Sequence, residues 1–198
     1  MKKILAILFV LVTLSAQAQT LEHNVYVGGG LFTHSEGNDS EKGLMLKLGY
    51  GLNVYFSEDW SVMPGVAYRE VSENTFKSSK DGANDKHFKF IDVPVIAQYH
   101  IGNGKDSWTV GLGPVFSFCV GNDTYSINSD PKNPKNGIEL CKPFSISLQP
   151  SVAYQFAKHW RVGAEYQFSL TDMKHKDDIY LDGSRHVSHI GLFVNFNF

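Results

Sequence analysis

From Leu44 to Phe56 every second residue is apolar: Leu44, Leu46, Leu48, Tyr50, Leu52, Val54 and Phe56 form one uncharged row. Side chains of an extended chain alternate between two faces, so such a row is one face of a strand. The pattern returns in Trp108, Val110, Leu112, Pro114, Phe116, Phe118, Val120 and in Phe144, Ile146, Leu148, Pro150, Val152, Tyr154, Phe156. It returns again in Trp160, Val162, Ala164, Tyr166, Phe168, Leu170 and in Ile190, Leu192, Val194, Phe196, Phe198. No charge interrupts any of these rows.

Eight runs read as strands: Glu22–His34, Gly43–Ser57, Trp60–Ser72, Lys86–Ile101, Ser107–Val120, Pro143–Ala157, Trp160–Thr171 and His186–Phe198. Most are longer than the usual 5 or 6 residues of a soluble strand. A tilted strand needs about 9 to 11 residues to cross a membrane's hydrocarbon core, which this length supplies. The connections alternate. Ser57–Asp59, Gly102–Asp106 and Lys158–His159 are tight, whereas Ser35–Lys42, Glu73–Asp85, Gly121–Lys142 and Asp172–Arg185 are long and polar. Short-long alternation predicts an eight-stranded antiparallel up-and-down transmembrane barrel, with brief periplasmic turns, longer outer loops and both termini periplasmic.

Alternation alone does not say which face points outward, and a soluble ligand-binding barrel would turn the apolar face inward. The opposite phase decides it. Gly49, Gly51, Gly65, Ala67, Gly111, Gly113, Ser147, Gly163 and Ser169 lie there. Small residues suit the crowded interior of a narrow barrel, so the aromatic face is expected to meet outer-membrane lipids. Trp60, Trp108 and Trp160 each open a strand just after a tight turn, and Phe198 ends the last one. Together they predict a periplasmic aromatic girdle. The inward phase also carries Lys47, Arg69, Asp92, Arg161 and Glu165. Charges so placed need partners, which predicts a salt-bridge network filling the lumen. An interior only wide enough for side chains argues against general diffusion, leaving a narrow ion path as the alternative.

Export is written at the N-terminus. Lys2 and Lys3 precede an apolar stretch, Ile4–Leu14, of only about 11 residues, short of the roughly 20 of a spanning helix. Ala16-Gln17-Ala18 follows as a small-x-small cleavage site, so residues 1–18 are expected to be a signal peptide and 19–198 the barrel domain. Net charge is −2 with no basic block, which speaks against nucleic acid as a partner. Cys119 and Cys141 flank the longest loop, and an oxidising compartment favours a disulfide between them. Pro64, Pro94, Pro114 and Pro150 fall inside predicted strands, where each removes a ladder donor; bulges are expected beside them.

Two chemical alternatives are weak. His186-x-Ser188 lies on the outward phase near the outer rim, but a serine nucleophile needs an oriented base and no carboxylate follows. His175, Asp177, Asp178 and Asp182 could attract a cation, yet the stretch lacks an EF-hand ligand pattern. No catalytic, metal or cofactor site is expected.

Val62–Tyr68, Phe90–Tyr99, Gly111–Pro114 and the terminal Phe198 resemble the porin family, or outer membrane protein β-barrel domain, common in Bacteroidota. Ile91–Tyr99 is also similar to a strand of PorT-like, translocation-related members. The resemblance implies fold and location more than activity. It further implies that Ile190–Phe198 is read by the outer-membrane assembly machinery, that in-strand prolines are tolerated, and that a secretion apparatus is a conceivable partner. The reading is therefore a non-enzymatic outer-membrane barrel with a structural or surface-interaction role. A narrow channel or transport-accessory barrel is the alternative, with a lipid-modifying enzyme behind it.

Overall fold

The structure is a computed structural model that describes residues 20–36, 39–73, 86–102, 106–122, 124–125, 138–139, 143–171 and 185–198. Side chains are described for these except at 34–36, 39–41, 73, 86, 122, 124–125, 138–139 and 185. The expected leader, Cys141 and the loop residues His175, Asp177, Asp178 and Asp182 lie outside the described residues.

The strands are β1 (Thr20–Glu36), β2 (Asp39–Tyr55), β3 (Trp60–Glu73), β4 (Lys86–Ile101), β5 (Ser107–Asn122), β6 (Thr124–Tyr125), β7 (Ile138–Glu139), β8 (Phe144–Ala157), β9 (Trp160–Ser169) and β10 (Arg185–Asn197). Eight of them close into one antiparallel barrel in the order β1-β10-β9-β8-β5-β4-β3-β2. The short β6 and β7 pair with each other beyond β5. Even β9, the shortest barrel strand at 10 residues, meets the length a tilted membrane strand requires. Closure joins first strand to last: β1 pairs with β10 from Asn24↔Asn197 to Glu36↔Arg185. It continues into Phe198, whose N–H and C=O bond the backbone of His23.

The two faces fall as the phases predict. Leu46, Leu48, Leu112, Ile190 and Leu192 are among the most exposed residues, while Asn24, Asn53, Arg69 and Asp92 are buried. An apolar exterior around a polar interior inverts a soluble protein, and it suits a chain solvated by lipid. At the loop end the outward rows turn polar, with Lys42, His87 and Lys89 exposed.

At the turn end, aromatic rings mark each hairpin. Trp60, Trp108 and Trp160 lie directly across from Tyr99, Tyr154 and Phe196 on the neighbouring strands. Their ring centroids are 4.9, 5.0 and 5.0 Å apart in tilted or edge-on contact. Phe198 stacks on His23 at 5.4 Å. The longest tight turn reverses through Gly102 (φ 87°) and ends on Asp106 (φ 66°), which accepts a 2.8 Å bond from Tyr154.

The prolines are accommodated differently from expectation. Register shifts occur at Lys89/Phe90 and Gln155/Ala157, away from every proline. At Pro64, Pro94, Pro114 and Pro150 the ladder breaks without slipping. Pairing resumes in the same register on β2–β3, β3–β4, β4–β5 and β8–β9. The physical reason is economy of hydrogen bonds. A strand residue directs its N–H to one neighbour only, so a proline spoils one ladder and leaves the other intact. Pro114 and Pro150 show this, because β5–β8 runs unbroken through both.

Glycine makes room for aromatic rings inside. Tyr26 lies across from Gly49, and its ring occupies the space that a Cβ on Gly49 would need. Gly49→Val is therefore expected to destabilise the barrel by about 1–3 kcal/mol through overpacking, read as a lower urea midpoint of the folded band.

Candidate functional site: the lumen

Inward side chains of all eight barrel strands meet in three tiers. Nearest the turn end, Glu22 on β1 gathers neighbours from β2, β9 and β10. Its Oε1 accepts from Asn53 at 3.0 Å and from Arg161 at 3.1 Å, and its Oε2 accepts from Asn197 at 2.9 Å. Arg161 also donates through Nε to Gln155 at 2.9 Å. Beside this cluster His100 lies 2.8 Å from Ser61 Oγ and 3.1 Å from Thr109 Oγ1. These bonds tie the strands across the lumen as well as around the wall.

The middle tier is a ring of three residues. Lys47 donates to Glu165 at 2.8 Å and to Gln149 at 3.2 Å, and Gln149 donates to the other carboxylate oxygen at 2.9 Å. His189 approaches the same carboxylate at 3.3 Å. The Lys47 ammonium also lies 5.8 Å from the Tyr26 ring centroid. Just above, Arg69 and Asp92 form a two-point pair at 2.6 and 3.1 Å. The fork geometry of guanidinium and carboxylate gives such a pair its direction and strength. The guanidinium also stacks 4.3 Å from the Phe90 centroid.

The third tier is apolar. Phe32, Met45, Val71, Phe88 and Phe90 cluster inside the loop end, with Cys119 and Val187 packed against them. Among the described residues the interior is thus filled by ion pairs in its middle and by hydrocarbon near its loop end. A cavity of about 40 Å³ remains between the lower two tiers, far below the roughly 300 Å³ at which ligand pockets begin.

The expected lumen residues all point inward, and the structure pairs Lys47 with Glu165 and Arg69 with Asp92. Arg161 takes Glu22, a partner that the sequence reading passed over. Glu22 shares the inward phase of Asn24 and Tyr26, which was the available signal. The apolar tier was missed as well, although Phe88 and Phe90 share the phase of Asp92. Trp60, Trp108, Trp160 and Phe198 lie together at the turn end, half exposed. Cys119 is partly buried with its Sγ 3.8 Å from Gly121 O, and its expected disulfide with Cys141 is not among the described contacts. His186 is exposed on β10, beside Ser35 of β1. No group of residues suited to holding a metal ion occurs among the described residues.

A closed eight-stranded barrel, apolar outside and polar within, defines a small outer-membrane barrel. The sequence matches the model of the outer membrane protein beta-barrel domain over residues 12–175, and the chain belongs to that family. Its place is accordingly the outer membrane, as an integral protein. Among curated proteins none matches the sequence. Of solved structures, Neisserial surface protein A is similar at 14% identity and TM-score 0.58, covering 89% of this chain and 97% of that one. Ail, the attachment invasion locus protein of Yersinia pestis in complex with the heparin analogue sucrose octasulfate, is similar at 18% identity and TM-score 0.51 over 91% and 100%. The outer membrane enzyme PagL is similar at 10% identity and TM-score 0.50 over 87% and 98%. At such identities the likeness is one of fold.

Proposed function

We propose that the chain is a non-enzymatic, non-conducting barrel that stiffens the outer membrane and offers its long loops as an interaction surface. The observation that carries this is the packing of the lumen's described side chains into three tiers, with a cavity of about 40 Å³ between the lower two. In this reading the turn end faces the periplasm, where the tryptophan-centred ring contacts sit at the headgroups. The long loops face the medium. The signal peptide, PorT-like kinship and recognition of Ile190–Phe198 by the assembly machinery belong to the same reading.

Two similar barrels are described as a surface protein and an attachment protein, which supports a surface role. The similarity to an enzyme supports catalysis less, because the last strand carries no carboxylate after His186 and Ser188 to orient a base. Reconstituted in planar bilayers, the protein is expected to give no single-channel steps above leak. Reproducible steps would sink the closed-lumen reading and favour the narrow channel.

A further inference from the structure

We propose that one arc of the outer rim, running from β10 across β1 to β4 with Lys42 and Lys89 as its cations, holds the phosphate of an anionic lipid of the outer leaflet. The inference rests on the reading of a lipid-embedded barrel with its long loops outward, and gives that barrel a lipid partner on one side only.

Strand stagger decides which residues share a height. A row of paired residues that leaves β3 at Trp60 passes Val110 on β5, Leu192 on β10 and Leu46 on β2, and returns to β3 at Glu70. One circuit thus climbs from residue 60 to residue 70, so a row rises toward the loop end by roughly one residue per strand. With that rise, His186, Thr33, Lys42, Ser72 and Lys89 come within about two residues of one height. Val120, Phe144 and Leu170 reach the same height on the far side, and all three are exposed. The rim is therefore two-sided. It is polar over β10, β1, β2, β3 and β4, where Lys42 and Lys89 are exposed, and apolar over β5, β8 and β9.

Below its cations the same arc is hydrocarbon. Leu44, Leu46 and Leu48 continue the row of Lys42 down β2, and Ile91 and Val93 continue that of Lys89 down β4. The three leucines are all exposed. An ammonium group at the head of an apolar track fits a molecule with an anionic head and long acyl chains, drawn in by charge at the membrane surface. A soluble anion would use the head of that track alone. Among the described side chains, Glu70 is the one carboxylate on the outward face of this arc. It lies across from Lys89 and accepts a 3.5 Å bond from Tyr68. Two ammonium groups against one carboxylate leave the arc positive, whereas Val120, Phe144 and Leu170 offer a phosphate nothing.

The test titrates the whole barrel, in detergent micelles, with phosphorylated lipid A and with the same lipid stripped of its phosphates, and counts bound lipid by native mass spectrometry. Heat-modifiable gel mobility confirms that each variant is folded. The phosphorylated form is expected to bind about tenfold more tightly, and Lys42→Gln and Lys89→Gln are each expected to weaken it about fivefold, the effect of one cation beside an anionic lipid surface. Lys42→Arg and Lys89→Arg are expected to keep the affinity. Lys158→Gln makes the same change of charge at the turn end and is expected to leave it unaltered. Equal binding of the two lipids, equal weakening by Lys158→Gln, or indifference to both rim replacements would each overturn the arc. Displacement by inorganic phosphate alone would mark a site for free anions and overturn the lipid as its occupant. The stability cost of Leu192→Arg reads only whether the wall faces lipid, so it separates failure of the arc from failure of the lipid-embedded reading.

Discussion

Asp92→Ala is expected to lower barrel stability by about 3–5 kcal/mol, because it strands the Arg69 guanidinium inside the lumen. The pair is two-pronged, at 2.6 and 3.1 Å, and both side chains are almost wholly buried. Arg69 cannot shed its proton to escape the cost, and Ser117 at 3.5 Å offers only a weak substitute acceptor. The alanine change therefore removes a charge that the site was built around. A double replacement, Arg69→Leu with Asp92→Leu, is expected to recover most of the loss, since neither desolvated charge remains. Urea titration of the folded band in lipid vesicles measures both. If Asp92→Ala stays within about 0.5 kcal/mol of the parent, the pair is not buried as described.

Leu192→Arg is expected to cost about 2–4 kcal/mol by the same titration, provided that the row it belongs to faces the bilayer midplane. Leu192 is 69% exposed and lies midway along its row between Phe198 and His186. Ser72→Arg, at the polar loop end of β3, serves as the depth control and is expected to cost about 0–1 kcal/mol. The contrast between the two carries the argument. An arginine at an exposed site of a water-soluble barrel would cost little at either position, so equal small effects would refute the lipid-facing assignment.

Much of this architecture was legible in local pattern. Strand positions and the outward face follow from period-two rows such as Leu44 to Phe56, because a one-residue slip would exchange lipid and lumen. The inward face was readable from what it lacks: glycines at 49, 51, 65, 111 and 113 leave space that only a narrow interior requires. Partnerships across the lumen were less accessible. Lys47 on β2 meets Glu165 on β9 across the lumen, three strands away around the ring, and that meeting depends on the strand stagger. Glu22 was overlooked for a related reason. It sits at the start of β1, where a strand end and a solvated turn look alike in sequence, yet Arg161 and Asn197 reach it from β9 and β10. The apolar tier of Phe32, Met45, Val71, Phe88 and Phe90 draws on four strands, and no single strand shows enough of it to be noticed. Pro114 taught the opposite lesson. Local rules suggested a bulge, whereas the ladder on its far side was sufficient to hold the register.

The seam between β1 and β10 has a kinetic consequence. Asn24 finds Asn197, and Glu36 finds Arg185, so the last contacts to form join the most distant parts of the chain. Pairings of such sequence separation carry a heavy loop-closure cost and slow folding. Until they form, β1 and β10 are open edges, able to pair with any other strand that reaches them. The Glu22 cluster binds β1 to β2, β9 and β10 at that junction, so it rewards only the completed ring. A barrel assembled this way has little to gain from half measures: the energy that favours it arrives mainly when the circle shuts.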